Sequence, residues 1–143
     1  IGKIADRVKI MSYDYTDSTS AKPGPIGPIS WIEDVLKYSI TRIPKEKIYL
    51  GVHLYAYEWI GTEVKALTYA SAKNILDTVN ILSSFKKDIG EGYAKFSCVN
   101  GTKTCEMYFQ NKEGINMRRD LAQEYGIQGI SYWKLGGELD ILK

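Results

Sequence analysis

Histidine and cysteine are scarce in this chain of 143 residues, which contains one histidine, His53, and two cysteines, Cys98 and Cys105. A zinc site usually takes about four histidine, cysteine or carboxylate ligands, and two sulfurs far from the histidine in sequence make an incomplete set. A single histidine also allows only one histidine-based triad, and no G-x-S-x-G motif accompanies it. We therefore predict no metal site, and we interpret His53 as a structural histidine.

An excess of one charge and long apolar runs are also missing. The 19 basic and 17 acidic side chains leave a net charge of +2, without the basic run that follows a phosphate backbone. No segment approaches the ~20 apolar residues that cross a bilayer. The first residues, IGKIADRVK, have no apolar stretch or small-residue cleavage site, so no export signal is expected there. We predict neither a nucleic-acid nor a membrane partner.

Length and aromatic content set two further expectations. A chain of 143 residues favours one domain with its own core, but a complete (β/α)8 barrel takes roughly 250 residues. Tyrosine is the residue in excess, with eleven copies beside three tryptophans. Aromatic faces suit flat ligands such as sugar rings, although tyrosine serves as often for packing. Both interpretations of the tyrosines stay open at this point.

The stretch VKIMSYDYTDS begins as a buried strand and ends in polar residues. Alternation places Met11 and Tyr13 on one face and Val8 and Ile10 on the other. Because both faces are largely apolar, the pattern predicts a strand covered on both sides, as in a parallel sheet. Asp14 follows directly at the carboxyl end of this strand.

A helix and two more strands complete a parallel arrangement. Helical spacing predicts a helix over residues 31–43, with Ser30 as its N-cap and Pro44 as its stop. KIYLGVHLY, residues 47–55, has the same two-sided apolar character as the first strand. Strand, helix and strand in this order form a βαβ unit, whose strands are parallel. IQGISYWKL, residues 127–135, is the third predicted strand.

Residues 62–125 follow a different pattern. SAKNILDTVNILSSF predicts a helix, and NKEGINMRRDLAQEYG predicts another that is closed by Gly126. Between them, YAKFSC and CEMYF predict an antiparallel hairpin. We therefore predict that residues 62–125 form an α+β insertion between two strands of the parallel sheet.

The two cysteines flank the turn signal of this hairpin. If residues 100–103 form a four-residue loop, Cys98 faces Cys105 at a distance that a disulfide can bridge. A disulfide would fit an oxidising compartment. Two free thiols in a cytosolic hairpin are the alternative.

Aromatic side chains mark the carboxyl ends of the predicted parallel strands, where α/β folds bind ligands. They are, with their neighbours, Tyr13 and Asp14 on the first strand, His53, Tyr55 and Trp59 on and after the second, and Ser131 and Trp133 on the third. Each has a common structural use: a packed tyrosine, a turn aspartate or a core tryptophan. Their clustering at three strand ends is what favours a ligand site.

Four motifs in order connect these residues to a known family: KIMSYDY, GPIGPISW, KIYLGVHLYAYEW and GIQGISYWKLGGELD. The chain resembles the C-terminal half of glycoside hydrolase family 18, in particular the bacterial spore-cortex and peptidoglycan glucosaminidases. The resemblance implies an α/β fold that is the C-terminal portion of a (β/α)8 TIM barrel, containing strands six to eight. Residues 1–61 and 126–143 would belong to the barrel, and residues 62–125 would be the insertion.

The resemblance also implies roles for the site residues. In this family the substrate's own N-acetyl group attacks the anomeric carbon, so the protein must hold that group in place. Tyr13 would hydrogen-bond the acetamido oxygen, and Asp14 would hold a sugar hydroxyl or a polar atom of the acetamido group. Met11 would line the pocket wall, and Trp133 would form an apolar floor under the reacting sugar.

Three further positions match the family less completely. Tyr55 corresponds to the tyrosine of a Y-G pair, with Ala56 in place of the glycine. Trp59 and Glu138 match recurrent positions with structural or rim-lining roles, and Trp59 is retained as a candidate substrate contact. No metal or organic cofactor is implied.

The family's fourth-strand signature D-x-x-D-x-D-x-E, which supplies the catalytic acid, does not occur in these 143 residues. Either the chain is part of a longer hydrolase and is inactive alone, or it belongs to a branch that became a carbohydrate-binding lectin. A purely structural fragment is the third alternative.

The expected ligand is an N-acetylglucosamine-containing polysaccharide, either peptidoglycan or chitin. The expected location is extracellular, in the cell wall or on the spore. A half-barrel leaves an apolar face and a sheet edge uncovered. We therefore expect it to associate with the missing N-terminal half or with another copy of itself.

Overall fold

The computed structural model of the chain describes residues 1–98, 101 and 103–143. The strands are β1 (Val8–Met11), β2 (Ile48–His53), β3 (Tyr55–Ile60), β4 (Glu63–Thr68), β5 (Ser84–Lys86), β6 (Glu91–Ser97), β7 (Thr104–Phe109) and β8 (Gly129–Trp133). The helices are α1 (Ile29–Ser39), α2 (Tyr69–Thr78) and α3 (Lys112–Glu124), with a 3-10 turn at Lys45–Lys47.

A three-stranded parallel sheet has the order β1-β2-β8. Val8 pairs with Ile48 and Met11 with Gly51, and Gly51 in turn pairs with Ser131. The predicted βαβ unit and the parallel pairing of all three strands are confirmed, because α1 connects β1 to β2 and β8 adds to the far side of β2.

One face of the parallel sheet packs against α1 and α3. Its core contains Leu50 and Val52 of β2, Ile32 and Leu36 of α1 and Ile115 of α3, all without exposed surface. The opposite face is not covered throughout, which corrects the prediction of two-sided burial for the first strand. β2 is buried along most of its length, but Met11 is 73 % exposed because the described helices pack on the other face.

Helix α1 begins and ends earlier than predicted. Pro28, not Ser30, precedes the first helical residue, and the amide of Ile29 donates to the carbonyl of Ile89 at 3.0 Å. The chain leaves the helix after Ser39, whose carbonyl accepts the amides of residues 42 and 43. Residues 40–42 form a turn and residue 43 a bend, so the regular helix ends four residues before the predicted end.

The second sheet is antiparallel, with the order β4-β3-β7-β6-β5. α2 covers it through Ala72 and Leu76, which pack against Phe96, Met107 and Phe109. The helix predicted from the stretch SAKNILDTVNILSSF ends at Thr78, and its last residues form β5 instead. α2 is shorter because the chain turns at Asn80, which has a positive φ of 50° that a helix cannot continue through.

The boundaries of the two sheets differ from the predicted strand pattern. The predicted strand KIYLGVHLY ends at His53, and Tyr55 already belongs to β3 of the antiparallel sheet. α3 contacts β2 and β8 of the parallel sheet and also β6 of the antiparallel sheet. The division into residues 1–61 with 126–143 and residues 62–125 stays a prediction.

The β6–β7 hairpin contains a disulfide between Cys98 and Cys105, whose α carbons are 5.3 Å apart. The predicted register is wrong, because Phe96 and not Cys98 lies opposite Cys105. The amide of Cys98 donates to the carbonyl of Lys103 at 2.9 Å, so Cys98 lies opposite Lys103 and not opposite Cys105. Residues 100 and 102 of the predicted loop lie outside the described residues, as does residue 99 before it.

Candidate functional site

A cavity of about 350 Å³ lies beside the carboxyl ends of the parallel strands. The strands of both sheets contribute to its wall. The lining residues are Asp14, Leu54, Tyr55, Tyr57, Ala66, Leu67, Thr68, Trp133, Lys134 and Gly136. The cavity is thus formed where β1 and β8 end and where the β3–β4 hairpin begins.

Asp14 is held by two tyrosine hydroxyls. Tyr57 donates to Oδ1 of Asp14 at 3.0 Å, and Tyr55 donates to the same oxygen. The backbone of Asp14 has a φ of 61°, a left-handed conformation that aspartate adopts more readily than most residues. This backbone turn and the two hydroxyls together orient the carboxylate at the end of β1.

The two tyrosines keep their protons. Burial, followed by the charge of Asp14, raises the pKa of Tyr57 to about 12. Burial and the hydrogen bond to Asp14 also raise the pKa of Tyr55. Both hydroxyls therefore remain hydrogen-bond donors at any pH at which the protein would ordinarily work.

Tyr13 lies next to this group, half-buried. Its ring meets that of Tyr55 edge-on, with the centroids 6.3 Å apart, and it packs on the buried cluster of Ile26, Tyr57 and Trp59. Burial first, and the charge of Asp14 second, raise the pKa of the Tyr13 hydroxyl. The structure thus brings Tyr13, Asp14 and Tyr55 together.

The three other predicted contacts are placed differently. Trp133 lines the cavity and is 56 % exposed, as a surface that receives a ligand should be. Met11 is exposed on the uncovered face of the parallel sheet, outside the described lining of the cavity. Trp59 is 1 % exposed, and its indole N–H donates to the carbonyl of Ser20 at 3.0 Å. A buried indole has no face left for a sugar, so Trp59 has a packing role here.

His53 and Glu138 lie outside the described lining of the cavity. His53 is fully buried, and burial together with Arg118 keeps its pKa well below the usual range. Glu138 accepts the amide of Gly136 at 2.5 Å within the loop after β8. Within residues 1–98, 101 and 103–143, no three histidine, cysteine or carboxylate side chains are grouped to hold a metal ion. None of the helices described is both long and apolar enough to cross a bilayer.

Several lining residues were missed by the sequence patterns. Tyr57 could have been found, since it lies two residues beyond Tyr55 and strand alternation places both on one face. Thr68 had no signal, because it reaches the cavity only through the pairing of β4 with β3. Lys134 directly follows Trp133, and its position in the cavity depends on the path of the chain after β8.

Comparison with known proteins identifies one family whose model matches most of the chain. The model of the family "Glycosyl hydrolases family 18" matches residues 1–138. A cortical fragment-lytic enzyme of Bacillus subtilis is 30 % identical over 141 residues, which cover 94 % of this chain and 32 % of that protein. A putative sporulation-specific glycosylase, YdhD, of the same species is 28 % identical, covering 94 % of this chain and 33 % of that protein.

Solved structures show the same fold. The spore cortex-lytic enzyme SleL of Bacillus cereus superimposes with a TM-score of 0.88 at 30 % identity, over 95 % of this chain and 32 % of that one. A chitinase from Chromobacterium violaceum gives a TM-score of 0.90 at 26 % identity, over 98 % of this chain and 44 % of that one. The chain spans about a third of the length of the first curated relatives it matches.

Proposed function

Because the chain belongs to glycosyl hydrolases family 18, we propose that it is part of a glycoside hydrolase that cleaves β-1,4 bonds next to N-acetylglucosamine. The polymer would be peptidoglycan or chitin, and the reaction would be substrate-assisted with retention of configuration. One observation carries this proposal. The Asp14 carboxylate, oriented by the hydroxyls of Tyr55 and Tyr57, lies in a cavity that also contains the exposed indole of Trp133.

Each side chain has a task in this reaction. The hydroxyl of Tyr13 would donate to the acetamido oxygen, and Asp14 would accept a hydrogen bond from the acetamido N–H or a sugar hydroxyl. Both contacts would hold the acetamido oxygen near the anomeric carbon. This oxygen is the nucleophile and takes the place of an enzyme side chain. Trp133 would support the sugar ring, whose C–H groups pack on the indole face.

The acid that protonates the leaving oxygen would come from outside these residues. We propose that β1, β2 and β8 are the sixth, seventh and eighth strands of a (β/α)8 barrel and that an N-terminal half supplies the acid. The uncovered face of β1 and the span of about a third of the relatives' length support this arrangement. The 143 residues alone would then be inactive, and their uncovered face would bind that half or a second copy.

The predicted floor can be tested through binding. We expect Trp133→Ala in the intact protein to weaken binding of N-acetylglucosamine oligomers roughly tenfold, because the sugar loses its apolar support. Isothermal titration calorimetry measures the affinities. Trp31→Phe, which alters a tryptophan on α1, is the matched control and should leave the affinity unchanged. Equal affinities for Trp133→Ala and the unmodified protein would show that Trp133 does not support the sugar ring.

Lys134 favours peptidoglycan over chitin. It is the one basic side chain in the described lining, and it is exposed without an ion pair to any carboxylate that the structure describes. Chitin is neutral, whereas peptidoglycan carries carboxylates on its peptide stems and on muramyl residues whose lactyl group is free. An ammonium group next to the floor would therefore attract the acidic polymer and be indifferent to the neutral one.

This preference gives a second prediction. We expect Lys134→Met to weaken binding of muramyl-containing glycan fragments roughly three- to tenfold at low salt and to leave binding of chitin oligomers unchanged. Lys45→Met, at the amino end of β2 and away from the cavity, is the control. An equal loss for both ligands would mean that Lys134 does not select for charge.

The alternative is a lectin-like carbohydrate-binding protein of the same fold, which would apply if the intact protein lacks D-x-x-D-x-D-x-E. Release of reducing ends from peptidoglycan or chitin by the intact protein separates the two functions. We further propose an extracellular, cell-wall or spore-associated location. The disulfide and the names of the spore-cortex relatives support it.

A further inference from the structure

Two charged side chains are completely buried between the sheets and outside the cavity. Glu91 begins β6, Arg118 lies in α3, and neither has exposed surface. Nη2 of Arg118 is 3.4 Å from Oε1 of Glu91. Burying charges is costly unless they are paired and hydrogen-bonded. We therefore expect both groups to be hydrogen-bonded to the surrounding backbone.

This pair, which we call the Glu91–Arg118 clasp, binds the backbone of Ile26 and Gly27 in the loop after β1. Glu91 accepts the amide of Ile26 at 3.0 Å and that of Gly27 at 2.5 Å. Arg118 donates to the carbonyl of Gly27 through Nη2. The remaining bonds anchor the clasp itself, since Nη1 of Arg118 donates to the carbonyls of Gly90 and Gly114 at 2.7 and 3.0 Å.

The clasped segment leads directly to the proposed catalytic residues. The amide of Tyr15, the residue after Asp14, donates to the carbonyl of Ile26 at 2.8 Å, and Thr16 donates to the carbonyl of Pro25 at 3.2 Å. The side chain of Ile26 is fully buried against Tyr57 and is also packed by Tyr13. A shift of Ile26 would therefore move the backbone at Asp14 and the ring that orients its carboxylate.

We propose that Glu91 is a positioning residue for Asp14, acting through Ile26, so that the antiparallel sheet sets the geometry of the hydrolytic site. The inference rests on the proposed function. Gly27 adds to the tightness of this connection, since a Cβ there would lie 3.0 Å from the carbonyl oxygen of Ser12. The loop has little room to adjust when the clasp is weakened.

Glu91→Gln tests the role in the intact protein. The amide keeps the shape of the side chain, but its NH₂ cannot accept the second backbone N–H, and a neutral glutamine forms no ion pair with Arg118. We expect kcat to fall on the order of tenfold with little change in KM, because Trp133 still binds the sugar while Asp14 is misplaced. Leu76→Ala, on the buried face of α2, is the control for general destabilisation and should leave kcat unchanged well below its melting temperature.

Coupling to Asp14 separates positioning from a merely structural role. If Glu91 acts through Asp14, the double variant Glu91→Gln with Asp14→Asn loses less kcat than the product of the two single losses. Losses that multiply fully, or an equal kcat loss in Leu76→Ala, would overturn the proposal. If Glu91→Gln does not fold, Ile26→Val should show the same coupling to Asp14, and its absence would have the same meaning.

One readout does not depend on activity. The ¹³Cζ resonance of Tyr57 reports its hydrogen bond to Asp14, and we expect it to shift in Glu91→Gln but not in Leu76→Ala. If the unmodified protein hydrolyses neither polymer, the proposed function is wrong. The ¹³Cζ resonance of Tyr57 would then still test whether Glu91 positions Asp14. A resonance that stays in place would overturn the positioning role even in an active enzyme.

Discussion

Replacing Tyr13 by phenylalanine should lower kcat of the intact protein on the order of 10²-fold, about the cost of removing one donor from a preorganised site. The hydroxyl is the group proposed to hold the acetamido oxygen while that oxygen attacks the anomeric carbon. Without it, the acetamido group rotates freely and reaches the reactive geometry less often. The ring packing on Tyr55 and Ile26 is retained, so the fold should be unaffected.

Steady-state kinetics with a chitin oligomer or a peptidoglycan fragment measure this effect. Tyr15→Phe is the matched control, because Tyr15 lies two residues further along the loop and packs against Trp31 outside the cavity. We expect its turnover to stay within about twofold of the unmodified protein. Unchanged turnover in Tyr13→Phe would show that the Tyr13 hydroxyl does not hold the acetamido oxygen.

Asp14→Asn should cost on the order of 10²- to 10³-fold in kcat. The amide fits the same space, but it removes the negative charge that faces the developing positive charge on the cyclised acetamido group. Asparagine keeps one oxygen that Tyr55 and Tyr57 can still share, but its NH₂ group cannot accept a hydrogen bond from the substrate. Asp34→Asn, an exposed carboxylate on α1, is the control for loss of a charge elsewhere.

The same variant has a spectroscopic consequence with a defined sign. The charge of Asp14 contributes to the raised pKa of Tyr57, about 12, although burial is the larger cause. In Asp14→Asn the pKa of Tyr57 should therefore fall and still remain above its ordinary value near 10. A pKa that does not move would show that the carboxylate and the hydroxyl are not in contact, which contradicts the proposed site.

The parallel half of the fold follows closely from sequence patterns. The spans VKIM, IYLGVH and GISYW are apolar enough to predict strands, and the helix between the first two requires parallel pairing. The predictions were wrong at the ends of the helices and strands. α1 stops at Ser39 and β2 stops at His53, because local hydrogen bonds, which hydrophobic periodicity does not encode, decide where each element ends.

The antiparallel half was harder to predict. Ser84–Lys86 reads as the end of a helix, yet it forms a strand because it pairs with β6, a contact that its own three residues do not reveal. The hairpin at the cysteines was recognised, but its register depends on the turn and came out two residues away from the predicted one.

For the site, the residues at strand ends were predictable and the supporting contacts were not. Tyr13, Asp14, Tyr55 and Trp133 follow from strand ends and from the family, whose assignment is confirmed. Tyr57 follows from the alternation of β3, whereas the position of Lys134 depends on the path of the chain after β8 and Glu91 contacts residues distant in sequence. Such contacts require the fold, because no local pattern shows that β6 carries a carboxylate to the loop after β1.

The stereochemistry of hydrolysis tests the central claim most directly. The intact protein is mixed with a chitin oligomer or a peptidoglycan glycan fragment, and the anomer that forms first is followed by proton NMR before it equilibrates. Substrate-assisted hydrolysis predicts that the β anomer appears first, because the two displacements at the anomeric carbon restore its configuration. Initial release of the α anomer, or no cleavage of either polymer, would contradict the account.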